Sequence, residues 1–151
     1  MRLKDEKVFT MNRELIHQAP NLVEVTYRPE VAAVYLEWFN EYDEGARVKD
    51  AVLAALNWVR ANNVKHWVAD VSTSPRGLSD TDYQWVSGDD FRSEIMNSTL
   101  RKFVLVPPLP SSGQDDSWVA EWEASTLSKF GDRVSAKVCQ NVQEARAFLM
   151  S

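Results

Sequence analysis

From Leu22 onward the apolar positions switch period repeatedly, from two to about 3.6 and back. Leu22–Tyr27 sets Leu, Glu and Thr against Val, Val and Tyr, the alternation of a half-exposed strand. Arg28-Pro29-Glu30 predicts a tight turn, and Val31–Phe39 a more apolar strand running back beside the first. The two read as a hairpin with Leu22–Tyr27 nearer the edge. An acidic turn, Asn40–Gly45, precedes Ala46–Asn62, where Val48, Val52, Ala55, Leu56 and Val59 recur at helical spacing. Asn62-Asn63 is a plausible stop.

Val64–Val71 is mostly apolar, β-branched and aromatic in part, as in a parallel strand buried on both faces. Asp70, Ser72, Thr73 and Ser74 bring oxygens to its end, and Pro75 and Gly77 break the extended run. Ser79 and Asp82 have the spacing of an N-cap and its N3 acid, so a helix is expected from Asp80. Ser87-Gly88-Asp89 divides Asp80–Leu100 into one short helix carrying Trp85 and Val86 and a second carrying Phe91, Ile95 and Met96.

Arg101–Val106 reads as an apolar strand stopped by Pro107, Pro108 and Pro110, and Ser111–Asp116 as a polar loop. Ser117–Phe130 reads as a helix with Val119, Trp122, Leu127 and Phe130 inward and Gly131 as its C′ residue. Arg133–Cys139 alternates as a strand. Asn141 with Glu144 caps a last helix whose core face is Val142, Ala145, Phe148 and Leu149. Within Met1–Pro20, Val8–His17 fits either a strand or a short helix.

The order β-β-α-β-α-β-α-β-α predicts an α/β fold, with a mixed, mostly parallel sheet of about five strands and helices packed against it. At 151 residues the chain is expected to be one domain, with residues 1–20 as an N-terminal extension. The net charge of −5 argues against nucleic acid as a partner. The lone Cys139 excludes an internal disulfide and fits a reducing, cytoplasmic setting. The charged start MRLKDEKVFTMNRE is unlike a signal peptide, and no apolar run approaches the ~20 residues of a membrane span.

Ligands of open α/β sheets bind beyond the carboxyl ends of the strands, which makes Asp70, Ser72, Thr73 and Ser79 the candidate ligand or partner loop. Turn and cap chemistry uses the same residue types and is their commoner employment. Trp38, Trp58 and Trp67 lie on or beside core faces. Trp85, Trp118 and Trp122 follow the site-bearing loops, and the last two share a helix face. One of that pair is expected to pack inward and the other to cover the sheet edge or a dimer partner. The sharper alternative is an aromatic patch at an interface or ligand mouth.

VAAVYLEW at Val31–Trp38, VKHWVADVST followed by SDTDYQWV, RKFVLVPP at Arg101–Pro108 and NVQEARAFL at Asn141–Leu149 resemble the SpoIIAA-like (STAS/SEC14-type) bacterial domains. The likeness runs over nearly the whole chain from about Leu22 and implies a bacterial, cytoplasmic regulatory or binding domain. In the anti-sigma-factor antagonists of that superfamily a serine opening the helix after the central strand is phosphorylated. The nearest position is Ser79, which makes it the candidate phosphosite, set in Gly77-Leu78-Ser79-Asp80 where the antagonists carry an Asp-Ser-Ser-Gly-like loop. The SEC14-like relatives imply instead an apolar ligand held under helices.

Little points to catalysis. His66 precedes Ser72 by six residues of extended chain, roughly 20 Å, and nothing in the sequence brings His17 near a nucleophile. Cys139 reads as a small buried hydrophobe. No phosphate-cradling glycine motif and no zinc spacing occurs, so no cofactor or metal is expected. Glu37, Glu41, Asp43 and Glu44 could gather round a hard cation, although acids before a helix more often serve its dipole. The leading expectation is a non-enzymatic binding or regulatory domain with a protein partner or homodimer. A carrier of a small apolar ligand or lipid comes second, and an enzyme of unknown class third. A pocket of about 300 Å³ or more would favour the carrier.

Overall fold

The computed structural model describes residues 14–151, apart from the side chains of residues 126–129. A six-stranded sheet carries β1 (Glu14–Ala19), β2 (Val23–Arg28), β3 (Ala33–Trp38), β4 (His66–Asp70), β5 (Lys102–Val106) and β6 (Ser135–Val138), in that spatial order. β1–β2 and β2–β3 pair antiparallel, and β3 to β6 run parallel. The helices are α1 (Arg47–Asn62), α2 (Asp80–Val86), α3 (Asp89–Met96), α4 (Trp118–Lys129) and α5 (Val142–Leu149).

The sheet has six strands where about five were expected; β2 lies nearer the edge than β3, as the hairpin implied, but β1 pairs outside it. The difference is β1, which folds back through a turn where the Leu22 amide donates to the Ala19 carbonyl at 2.9 Å and Asn21 takes φ 64°. A shift of register between Leu15 and His17 breaks its alternation, which leaves the period ambiguous in sequence. Residues 8–13 of the ambiguous Val8–His17 segment, like residues 1–13 as a whole, lie outside the described residues. So does the expected inward side chain of Leu127.

The remaining local expectations have visible causes. Asn63 ends α1 at φ 51°, and Gly131 follows α4 at φ 57°. Ser79 Oγ accepts from the Asp82 amide at 3.2 Å, and Asn141 Oδ1 from that of Glu144 at 2.8 Å. Gly88 separates α2 from α3: a β-carbon there would lie 3.0 Å from the Gln84 carbonyl oxygen.

Because β3 to β6 lie side by side in chain order, right-handed crossovers put α1 through α4 on one face. Two rows of side chains cross that face. One is Tyr27–Val34–Trp67–Phe103–Ala136 and the other Val25–Leu36–Ala69–Leu105–Val138. On the opposite face α5 lays Ala145 and Leu149 against Val68, Val104, Val106 and Cys139. Among the described residues helices therefore cover the two faces unequally, four on one and one on the other.

Candidate functional site

The four-helix face is not evenly covered. α1 packs over β1 and β2, and α4 over β6, while α2 and α3 lean on each other more than on any strand. Over the middle of the sheet this leaves a pocket of about 260 Å³. Leu36, Ala69 and Leu105 form its floor with Trp67 and Phe103. Ala69 is the small residue between two leucines in its row, so the floor dips there. Val48 and Val52 of α1, Val86 and Phe91 of the α2–α3 pair, and Trp118 and Trp122 of α4 wall it. Tyr83, 40 % exposed, also lines it.

The loops beyond the carboxyl ends of β3, β4 and β5 meet at one end of the pocket and bring Glu41, Ser74 and Gln114 together. The Glu41 amide donates to Ser74 Oγ at 3.0 Å, and that hydroxyl donates to the Arg76 carbonyl at 3.0 Å. Gln114 Nε2 donates to Glu41 Oε2 at 2.9 Å and to the Ser74 carbonyl at 2.8 Å. Gln114 Oε1 accepts from Trp118 Nε1 at 3.1 Å, which fixes that indole beside the carboxyl. Glu41 lines the pocket and is 5 % exposed. Burial pushes its carboxyl up to about 7, against the lesser downward pull of hydrogen bonds to Gln114 and Ser74. Arg76 is spent elsewhere, its guanidinium 3.5 Å from the centre of the Tyr42 ring.

Asp70 and Ser72 face away from this pocket. Side chains alternate along a strand, so Asp70 points to the α5 face while Ala69 points to the pocket. There Tyr35 Oη donates to Asp70 Oδ2 at 2.5 Å, and Asp70 Oδ1 accepts from the Ser72 amide and hydroxyl at 3.0 and 2.6 Å. Burial first, then the Asp70 carboxylate, raises the Tyr35 hydroxyl well above the ordinary tyrosine range. Arg28 closes over the Tyr35 ring at 3.7 Å. Thr73 is exposed between the two sites, and Ser79 caps α2.

Of the tryptophans, Trp118 and Trp122 line the pocket together, as do the core residues Trp38 and Trp67. Trp85 packs on Phe91 with ring centres 5.6 Å apart, and Lys49 Nζ lies 5.1 Å from its ring. Trp58 lies against Tyr27.

The acidic residues weighed as cation ligands disperse. Glu37 pairs in register with Asp70 on the α5 face, Glu41 joins the pocket, Asp43 binds Arg47 at 2.8 Å, and Glu44 is exposed. Among the described residues no three His, Cys, Asp or Glu side chains gather as a metal site requires. His66 opens β4, where burial and Lys102 lower its basicity, and Cys139 is wholly buried with its thiol raised. No helix among the described residues is long and apolar enough to cross a membrane.

Trp118 and Trp122 both line the pocket, where one was expected inward and the other over the sheet edge or a dimer partner, and Ser74 and Gln114 were not expected as partners of Glu41. Ser74 could be found as the polar residue just past the central strand. Gln114, in a loop of many polar residues, carries no distinguishing signal. No protein-family model matches the chain, and neither a curated protein nor a solved structure matches it.

Proposed function

We propose that this is a binding domain for a small apolar ligand, held between the sheet and its four-helix face. The observation that carries the reading is the pocket itself, apolar and aromatic on nearly every side, with one buried carboxyl converging on it from the strand-end loops. Its size selects within the apolar-ligand class. At 260 Å³ the pocket falls short of the about 300 Å³ expected of a carrier; a cavity of about 150 Å³ holds about one benzene ring, so the space suits a bound ligand of one or two rings and is too small for a lipid with full acyl chains. The SpoIIAA-like assignment belongs to the same proposal. It is supported by the element order from β2 onward and by parallel strands in sequential order.

Native mass spectrometry of the protein purified from its host, with calorimetric titration by indole and naphthalene derivatives, tests the reading. A co-purified small molecule, or saturable binding with a negative heat-capacity change, is expected. Failure of every one- and two-ring probe to bind would overturn it.

A carboxyl pushed to about 7 in an apolar pocket favours a second reading, a proton-transfer enzyme using Glu41 as general acid and base. That reading requires a ligand recovered from the pocket to exchange a carbon-bound proton with deuterated water only when the protein is present.

A further inference from the structure

The ligand's chemistry can be taken one step further, resting on the pocket being a ligand site. We propose that the ligand is a small aromatic amine, its ring or rings on the aromatic floor and its ammonium paired with Glu41.

Three observations meet in this assignment. First, among the described residues the buried carboxyl has no counter-charge. Arg47 pairs with Asp43, Arg60 with Glu94 and Arg92 with Asp89, and Glu41 is in none of these pairs. Among the described residues the carboxyl accepts from the neutral Gln114 and Ser74 Oγ meets the Glu41 backbone amide, while burial is the largest influence on its acidity. A buried carboxylate without a cation is costly, and a bound ammonium would remove that cost.

Second, among the described residues no Lys, Arg or His lines the pocket, so an anionic ligand would meet there only the carboxyl that repels it. The nearby charged groups are committed or remote in effect. Arg76 from the β4–α2 loop stacks on Tyr42, Asp43 from the β3–α1 loop holds Arg47, and Lys49 from α1 lies over Trp85. Asp82 at the start of α2 is itself pushed up by burial, and Tyr83 is the other titratable group in the lining. Third, Gln114 ties Trp118 beside the carboxyl, and Trp38 and Trp122 also line the space. Indole faces attract cations by their quadrupoles, most strongly when water is excluded.

The experiment is calorimetric titration of the full chain with three probes sharing one ring system: tryptamine, 3-methylindole and indole-3-acetate. At about pH 9, where the Glu41 carboxyl is ionised, tryptamine is expected to bind at least about tenfold tighter than 3-methylindole, as a charged hydrogen bond provides. Indole-3-acetate is expected not to bind. At about pH 5 the amine keeps its charge but Glu41 is protonated, so the tryptamine advantage should vanish. Glu41→Gln should bind tryptamine no tighter than 3-methylindole at either pH value, while 3-methylindole still binds. Should that variant misfold, the pH profile of the unaltered chain decides alone. If 3-methylindole binds and tryptamine is no tighter, or its advantage survives at about pH 5, the amine assignment is overturned and the pocket reading stands. If none of the three binds, the amine assignment is overturned, and the pocket reading falls with it when the other one- and two-ring probes also fail.

Discussion

Glu41 is the residue at which burial and ionisation pull in opposite directions. Its carboxyl sits at about 7 in the folded chain against an ordinary 4.5, because burial disfavours the ion. A folded-state value raised in this way means that the neutral form is stabilised and the charged form penalised. The penalty is absent below about pH 4.5, grows between 4.5 and 7, and is complete above 7. Its ceiling is about 3 kcal/mol, from about 1.4 kcal/mol per unit of displacement. Glu41→Gln keeps an oxygen to accept from Gln114 and removes the penalty. The variant should therefore melt several degrees above the natural chain at about pH 8, with the gap closing towards pH 5. Equal melting temperatures at both pH values would show the carboxyl to be well solvated. Asp70 teaches the complementary lesson. Polar residues at a strand end mark where a site can be, but alternation sends neighbours to opposite faces. Asp70 thus goes to Tyr35, and Ala69 becomes the pocket floor. The sequence carried both residues plainly, and only the position of the helices decides which face holds the cavity.

At the scale of elements, legibility tracked local chemistry. The caps at Ser79 and Asn141, the stop at Asn63, the glycine after α4 and the break before Gly88 depend on backbone groups within four residues, so the sequence window contains their causes. β1 depends on pairing with β2 and on a register shift, neither of which leaves a clean period. Ser79 makes the local case testable. As a cap accepting from the Asp82 amide at 3.2 Å, it should lose about 1 kcal/mol of stability as Ser79→Ala. Ser79→Asp should be nearly neutral, since Asp caps as well and its charge suits the helix start. Asp80 and Asp82 already crowd that first turn with negative charge, which disfavours adding a phosphate there. Thermal melts of the two variants, with partner pull-down, check this. A partner gained or lost in Ser79→Asp at unchanged melting temperature would make Ser79 a switch.

At the scale of the molecule, the pocket follows from how three elements divide one face. α1 takes the β1–β2 flank, α4 takes β6, and the interrupted α2–α3 pair cannot press a continuous apolar stripe onto β4. Under that gap lies Ala69, flanked in its row by Leu36 and Leu105. No single window of sequence contains this arrangement, because it joins a small residue in one strand to a helix break and to the separation of two other helices. Ala69→Leu should fill the dip with a side chain that meets only void and apolar neighbours. The fold should be kept or modestly stabilised, as cavity filling generally does. Binding of 3-methylindole should be lost with it. In the natural chain the same probe, at about a hundredfold excess over its Kd, should add about 2.7 kcal/mol. That corresponds to roughly 5–10 °C in Tm for a domain of this size, and Ala69→Leu should show no such rise. A full rise in the filled variant would place the binding site somewhere other than this pocket. A variant that melts far below the natural chain would mean instead that the floor is already packed and the space above it too tight for a ligand.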